Sequence, residues 1–104
     1  MKKTLPACVY PCGIKYTVKL EHMDTDEYGE TAGFEKLIKI NADPKKTKDH
    51  HRTLFHEFIH GVFHSTGLAE MMRSQGGDLE EAIVVALEEH LFRLIDETQL
   101  GRKP

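Results

Sequence analysis

Thr53-Leu54-Phe55-His56-Glu57-Phe58-Ile59-His60-Gly61-Val62-Phe63 carries apolar residues at two interleaved four-residue spacings, Leu54, Phe58, Val62 and Phe55, Ile59, Phe63. That period predicts a helix buried on more than one side. Residues four apart on a helix share a face, so His56 and His60 can aim their imidazoles at one metal ion. Glu57 falls beside them. Its carboxylate is placed to take a proton from a water on that ion, the use that the spacing His-Glu-x-x-His serves in zinc hydrolases. The pattern fixes only three positions, and the competing reading is a pair of histidines packed on an ordinary amphipathic helix.

Working outward, the helix has several candidate starts. Asp43 as N-cap with Pro44 at the first helical position is one, and Thr47 or Asp49 are later ones. Gly67 is the stop, because it can adopt the left-handed backbone that ends helices. Lys45, Lys46, Lys48, His50, His51 and Arg52 make a basic run, read as a solvated helix face rather than a phosphate patch. Upstream, Ile14 to Met23 alternates apolar and polar residues as a half-buried strand does. Asp24 to Thr31 is acidic and broken by glycine, and reads as a turn or surface loop. Leu37 to Ile40 gives a second strand, and the two are expected to form an antiparallel pair.

Downstream, Leu68 to Gly77 reads as a connection. A second helix is expected from Asp78, with Glu81 completing an acidic capping box, running through Val84, Leu87, Leu91, Leu94 and Ile95. The expected fold class is therefore α+β: a small antiparallel sheet packed against the motif helix and a second, C-terminal helix. It forms one domain over residues 1–104, with 1–13 and 99–104 loosely ordered.

A catalytic zinc site usually takes three protein ligands and leaves a fourth position to water. A helical wheel over the second helix groups Val84, Leu87, Leu91 and Leu94, and Glu80 falls in the middle of that apolar sector. A carboxylate aimed into a core should be paired or metal-bound, so Glu80 is the expected third ligand. Glu81, about 100° away on the wheel, is the alternative. His64 follows His60 by four residues, but three successive residues at that spacing drift too far to share one ion. Its expected place is beside the site, hydrogen-bonding a ligand or substrate, and with Tyr28 it is a candidate to meet charge on a reacting carbonyl.

Composition bounds the rest. The chain has 104 residues, 39% hydrophobic and 30% charged, with a formal net charge of −3. It lacks the basic field of nucleic-acid binders. No run approaches the ~18 apolar residues of a membrane span, and no apolar signal core follows Met1-Lys2-Lys3. A cytoplasmic location is expected, with a peptide or protein as substrate and neither nucleic acid nor membrane as partner. Cys8 and Cys12 have no second ligand pair at zinc-ribbon spacing and read as reduced thiols.

The block Thr53 to Leu68, followed by Glu80-Glu81-Ala82-Ile83-Val84-Val85-Ala86-Leu87, resembles the small zincin-like metallopeptidases of phage and prophage genomes, minimal relatives of the glutamate-ligand zincins. The resemblance spans about Ile14 to Ile95, although only the motif block is specific. It implies Zn²⁺ held by His56, His60 and a glutamate of the following helix, with Glu57 as general base, in the host cytoplasm if phage-encoded. It also implies a strand before the motif helix, Glu35 to Ile40, whose edge an extended peptide can join. His64 departs from the pattern of many relatives, and the third histidine of the metzincins is absent, Thr66 standing in its place.

Two other readings remain. One is a non-catalytic, metal-stabilised protein-binding module, since a metal staple helps a core this small. The other takes the register His60-Gly61-Val62-Phe63-His64, which partly resembles the rRNA-maturation metallo-endoribonucleases. That family would need a third histidine where this chain has Glu70, and Glu57 would have no role.

Overall fold

Alternation in the N-terminal third does produce strands, but their pairing differs from a simple hairpin. The computed structural model describes residues 4–43, 49–96 and 99–103. The elements in order are β1 (Cys8–Val9), β2 (Tyr16–Glu21), β3 (Gly29–Ala32), β4 (Leu37–Asn41), α1 (His50–Thr66), α2 (Leu68–Ser74) and α3 (Leu79–Leu91). Short 3₁₀ turns lie at Pro11–Gly13 and Phe92–Leu94. The fold is α+β, with one four-stranded sheet in the order β1-β2-β4-β3.

The sheet is mixed. β2 and β4, expected to be antiparallel, run parallel with Val18 opposite Ile38. The reversal comes from β3, which lies in the segment read as a loop and pairs antiparallel with β4, Thr31 opposite Ile38. One extra strand in the connection turns the chain once more, so β2 and β4 end up pointing the same way. β4 is therefore internal, and β3 rather than Glu35 to Ile40 supplies the edge.

α1 begins at the latest of the candidate starts. Asp49 is its N-cap, accepting a hydrogen bond of 3.0 Å from the Arg52 amide. Asp43 precedes the helix in coil, while Pro44 and Thr47 lie outside the described residues. At the other end Gly67 has φ 81°, the left-handed C-cap expected of it. The segment after it is not a bare connection: Leu68–Ser74 forms α2, with Ala69 buried. Asp78 is the N-cap of α3, but its side chain makes no capping hydrogen bond, so the capping box does not form.

The core is built from Val9, Tyr16, Ile38, Ile40, Leu54 and Val84, all fully buried. Burying each of the five aliphatic side chains among them contributes about 1.5–3 kcal/mol. The terminal segments expected to be loose contribute too. Val9 sits in the core, and Leu100 joins the same cluster, because a chain this small needs its ends to cover the sheet. On its other side α1 lies against β3, and the approach is close. A Cβ at Gly29 would stand 2.9 Å from the Lys39 carbonyl oxygen and 3.0 Å from Thr53 Cγ2, so only glycine lets the edge strand reach α1.

Asn41, at the end of β4, fixes the loop leading to β3. Its buried Oδ1 accepts from the Met23 and Asp43 amides at 3.2 and 3.0 Å, and its Nδ2 donates to the Glu27 carbonyl at 2.9 Å. Its own amide donates to the Tyr28 carbonyl at 2.8 Å. A side chain whose hydrogen-bonding groups are all engaged holds backbone as a strand neighbour would. The loop so held forms one wall of the site.

Candidate metal centre

His56 and His60 stack one turn apart on α1, their ring centroids 5.1 Å from each other. The facing element is α3. His56 Nε2 lies 2.7 Å from Glu81 Oε1, and His60 Nε2 lies 3.2 Å from the same oxygen. One ligand atom from each of these three residues falls within 4.8 Å of the other two, a group that can hold a metal ion.

The carboxylate that closes the group is thus Glu81, not Glu80. Glu80 is hydrogen-bonded to the other ring nitrogen of His60, Nδ1, and is the less exposed of the two, 22% against 54%. The wheel turns Glu80 toward α1, and the structure has it there, but on Nδ1 of His60 rather than beside the two Nε2 atoms. Glu80 and Glu81 both lie one turn before the buried Val84, so helix phase alone does not separate them.

His56 has a matching support. Its Nδ1 lies 2.7 Å from Glu88 Oε1, and Arg52 Nε donates to the other oxygen of Glu88. Arg52, read as part of a solvated basic face, is therefore an ion-pair partner at the site, and its guanidinium is held further toward the charged form by the Glu88 carboxylate. Each imidazole now meets a carboxylate at both nitrogens. An imidazolium donating from both nitrogens satisfies these contacts, and so does a neutral imidazole that donates from Nδ1 and turns its Nε2 lone pair to a cation shared with Glu81. The donor set and its Nδ1 carboxylates are those of carboxylate–histidine–metal sites.

Glu57 is buried under this group. Its Oε2 stands 4.0 Å from His56 Nε2, and its Oε1 accepts a hydrogen bond of 2.8 Å from the Thr31 hydroxyl on β3. The same hydroxyl lies 3.0 Å from the Glu57 carbonyl oxygen. Burial raises the Glu57 carboxyl above the ordinary glutamate value, against the opposing pull of Thr31 and the two imidazoles. Burial also works to lower His60, but Glu80, Glu57 and Glu81 outweigh it and raise the imidazole.

His64 is outside the ligand group. It lines the cavity over the site and packs against Gly33, where a Cβ would come within 2.8 Å of its ring. Tyr28 lines the same cavity, which measures about 520 Å³ and is also walled by Glu27, Glu30, Asp49 and Arg52. Glu70, which the endoribonuclease register would need at a metal, is exposed on α2 and pairs with Arg73 at 3.9 Å. Cys8 and Cys12 are free thiols. Among the described residues no helix is long and apolar enough to cross a membrane.

Sequence reasoning missed Thr31 and Glu88. Glu88 had a signal, since it follows Glu81 by seven residues and so shares its helix face. Thr31 had none, because its segment was not read as a strand. Compared with protein-family models, with curated proteins and with solved structures, the chain matches none.

Proposed function

We propose that the protein is a zinc-dependent peptidase of minimal zincin type, with His56, His60 and Glu81 as metal ligands and Glu57 as general base. The observation that carries this reading is the meeting of the two Nε2 atoms and Glu81 Oε1 directly above a buried glutamate, inside a solvent-open cavity. Two imidazoles and one carboxylate suit zinc better than the oxygen-seeking magnesium or calcium. When bound, zinc lowers the pKa of a water toward ~7 and polarises a scissile carbonyl.

The remaining work falls to side chains. Glu57 takes one proton from the water, whose oxygen forms the new bond to the carbonyl carbon, and passes that proton to the leaving nitrogen as the C–N bond breaks. Its upward displacement by burial brings it nearer to the basicity that such transfer needs. His64 and Tyr28 line the cavity where the substrate carbonyl would lie. The exposed edge of β3 is beside the site, and an extended peptide can pair with it.

The test is Glu57→Gln. The variant should bind one zinc as the wild type does and lose hydrolysis of a mixed peptide library by ~10²-fold or more, the share that a positioned base contributes. Hydrolysis that survives the substitution excludes Glu57 as the base. A wild type that binds zinc and cleaves no peptide leaves the metal-stapled binding module as the better reading.

A further inference from the structure

The hydroxyl of Thr31 addresses Glu57 in a way that the reading above does not require. It donates to Oε1 at 2.8 Å, with the Glu57 carbonyl oxygen 3.0 Å away, while Oε2 is the oxygen that faces the imidazoles at 4.0 Å. The two carboxylate oxygens are thus inequivalent. One is tied to the edge strand and the other is turned to the ligand group. A glutamate one residue from a metal ligand could otherwise swing onto the ion itself, where it would no longer serve as a base. Gly29 makes the tie possible, since any Cβ there would meet Lys39, Thr53 and Glu57 Cγ and push β3 away from α1.

We propose that Thr31 is a positioning residue for the reaction: it holds Glu57 by Oε1 and so presents Oε2 as the proton acceptor. The inference rests on the reading of Glu57 as general base. It adds that the edge strand beside which a peptide would lie is mechanically joined to that base. Loss of the hydroxyl should leave the metal where it is and disorder the acceptor, because the hydroxyl's hydrogen bonds go to Glu57.

The experiment compares wild type, Thr31→Val and Thr31→Ser in the zinc-loaded protein. Thr31→Val is expected to lower kcat by ~10–100-fold, a part of the 10²–10⁴ that a general base supplies. KM and zinc affinity, the latter measured by chelator competition, should stay within about twofold. Thr31→Ser, which keeps the hydroxyl, should recover most of the rate. Unchanged kcat in Thr31→Val overturns the proposal. So does a parallel loss of zinc affinity and thermal stability that serine fails to restore, which would mark a merely structural role. A readout independent of hydrolysis is NMR observation of a slowly exchanging Thr31 hydroxyl proton with a cross-peak to the Glu57 γ protons. If the wild type cleaves no peptide, the peptidase reading fails and this cross-peak decides whether Thr31 holds Glu57. Its absence overturns the inference, and its presence supports the tie.

Discussion

Glu88→Gln and Glu88→Ala separate support of a ligand from ligation itself. Glu88 touches His56 only at Nδ1, 2.7 Å away, and is itself held by Arg52. Removing such a partner typically weakens metal affinity by ~10–100-fold. Glutamine keeps an oxygen that accepts from Nδ1–H but loses the charge and the ion pair with Arg52, so its cost should lie near tenfold. Alanine leaves Nδ1 with no partner and should approach a hundredfold. At 1.4 kcal/mol per tenfold these are about 1.4 and 2.8 kcal/mol. With zinc in excess the same differences appear in unfolding. For a domain of this size 1.4 kcal/mol corresponds to a midpoint lowered by about 6–11 °C. Chelator competition gives the affinity and thermal unfolding with and without chelator gives the linkage. Glu89→Gln, an exposed neighbour on the same helix, is the control. If Glu88→Ala binds zinc as the wild type does, the two-sided arrangement of the imidazoles has been misread.

Further outcomes follow from the same geometry. Gly29→Ala should destabilise the protein by ~1–3 kcal/mol in urea unfolding, because its Cβ meets backbone at 2.9 Å and nothing flexible can yield. Leu54→Ala, at a fully buried position between α1 and the sheet, should cost ~2–5 kcal/mol by the same assay. The metal-free protein should lose stability as pH rises from the ordinary glutamate value of 4.5 through and beyond the ordinary histidine value of 6.5. The Glu57 carboxyl and the His60 imidazole are both raised in the folded state, so their contributions are complete below the ordinary values of 4.5 and 6.5 and vanish as pH rises through the folded values. Zinc binding needs the neutral imidazole and should strengthen over the same range, giving unfolding midpoints with opposite slopes in chelator and in zinc.

The motif helix was readable because its signals are local. Asp49 and Gly67 mark its ends through their own backbone and side-chain chemistry, and the spacing of His56 and His60 is enough to put them on one face. β2 and β4 declared themselves by alternation ending in Ile38 and Ile40. β3 did not. Gly29-Glu30-Thr31-Ala32 has no large apolar residue, since an edge strand pressed against a helix on one side and open to solvent on the other does not need one. Missing it inverted the direction of pairing and hid Thr31. Glu80 and Glu81 both lie one turn before Val84 and both reach His60, so which of them meets Nε2 depends on how α1 packs against α3 rather than on the pattern of α3 alone. Glu88 was overlooked because a charged residue on a helix ordinarily needs no partner; its role depends on Arg52 and His56, which only the packing of α1 against α3 brings to it.

A crystal structure of the protein grown with equimolar zinc addresses the metal centre most directly. One ion should be bonded to Nε2 of His56, Nε2 of His60 and the carboxylate of Glu81 at ~2.0–2.2 Å, with Glu80 and Glu88 still on the Nδ1 atoms and Glu57 outside bonding distance. An ion bound through Nδ1, held by Glu80 or Glu57 in place of Glu81, or located away from α1 and α3 would contradict the proposed chemistry at its root.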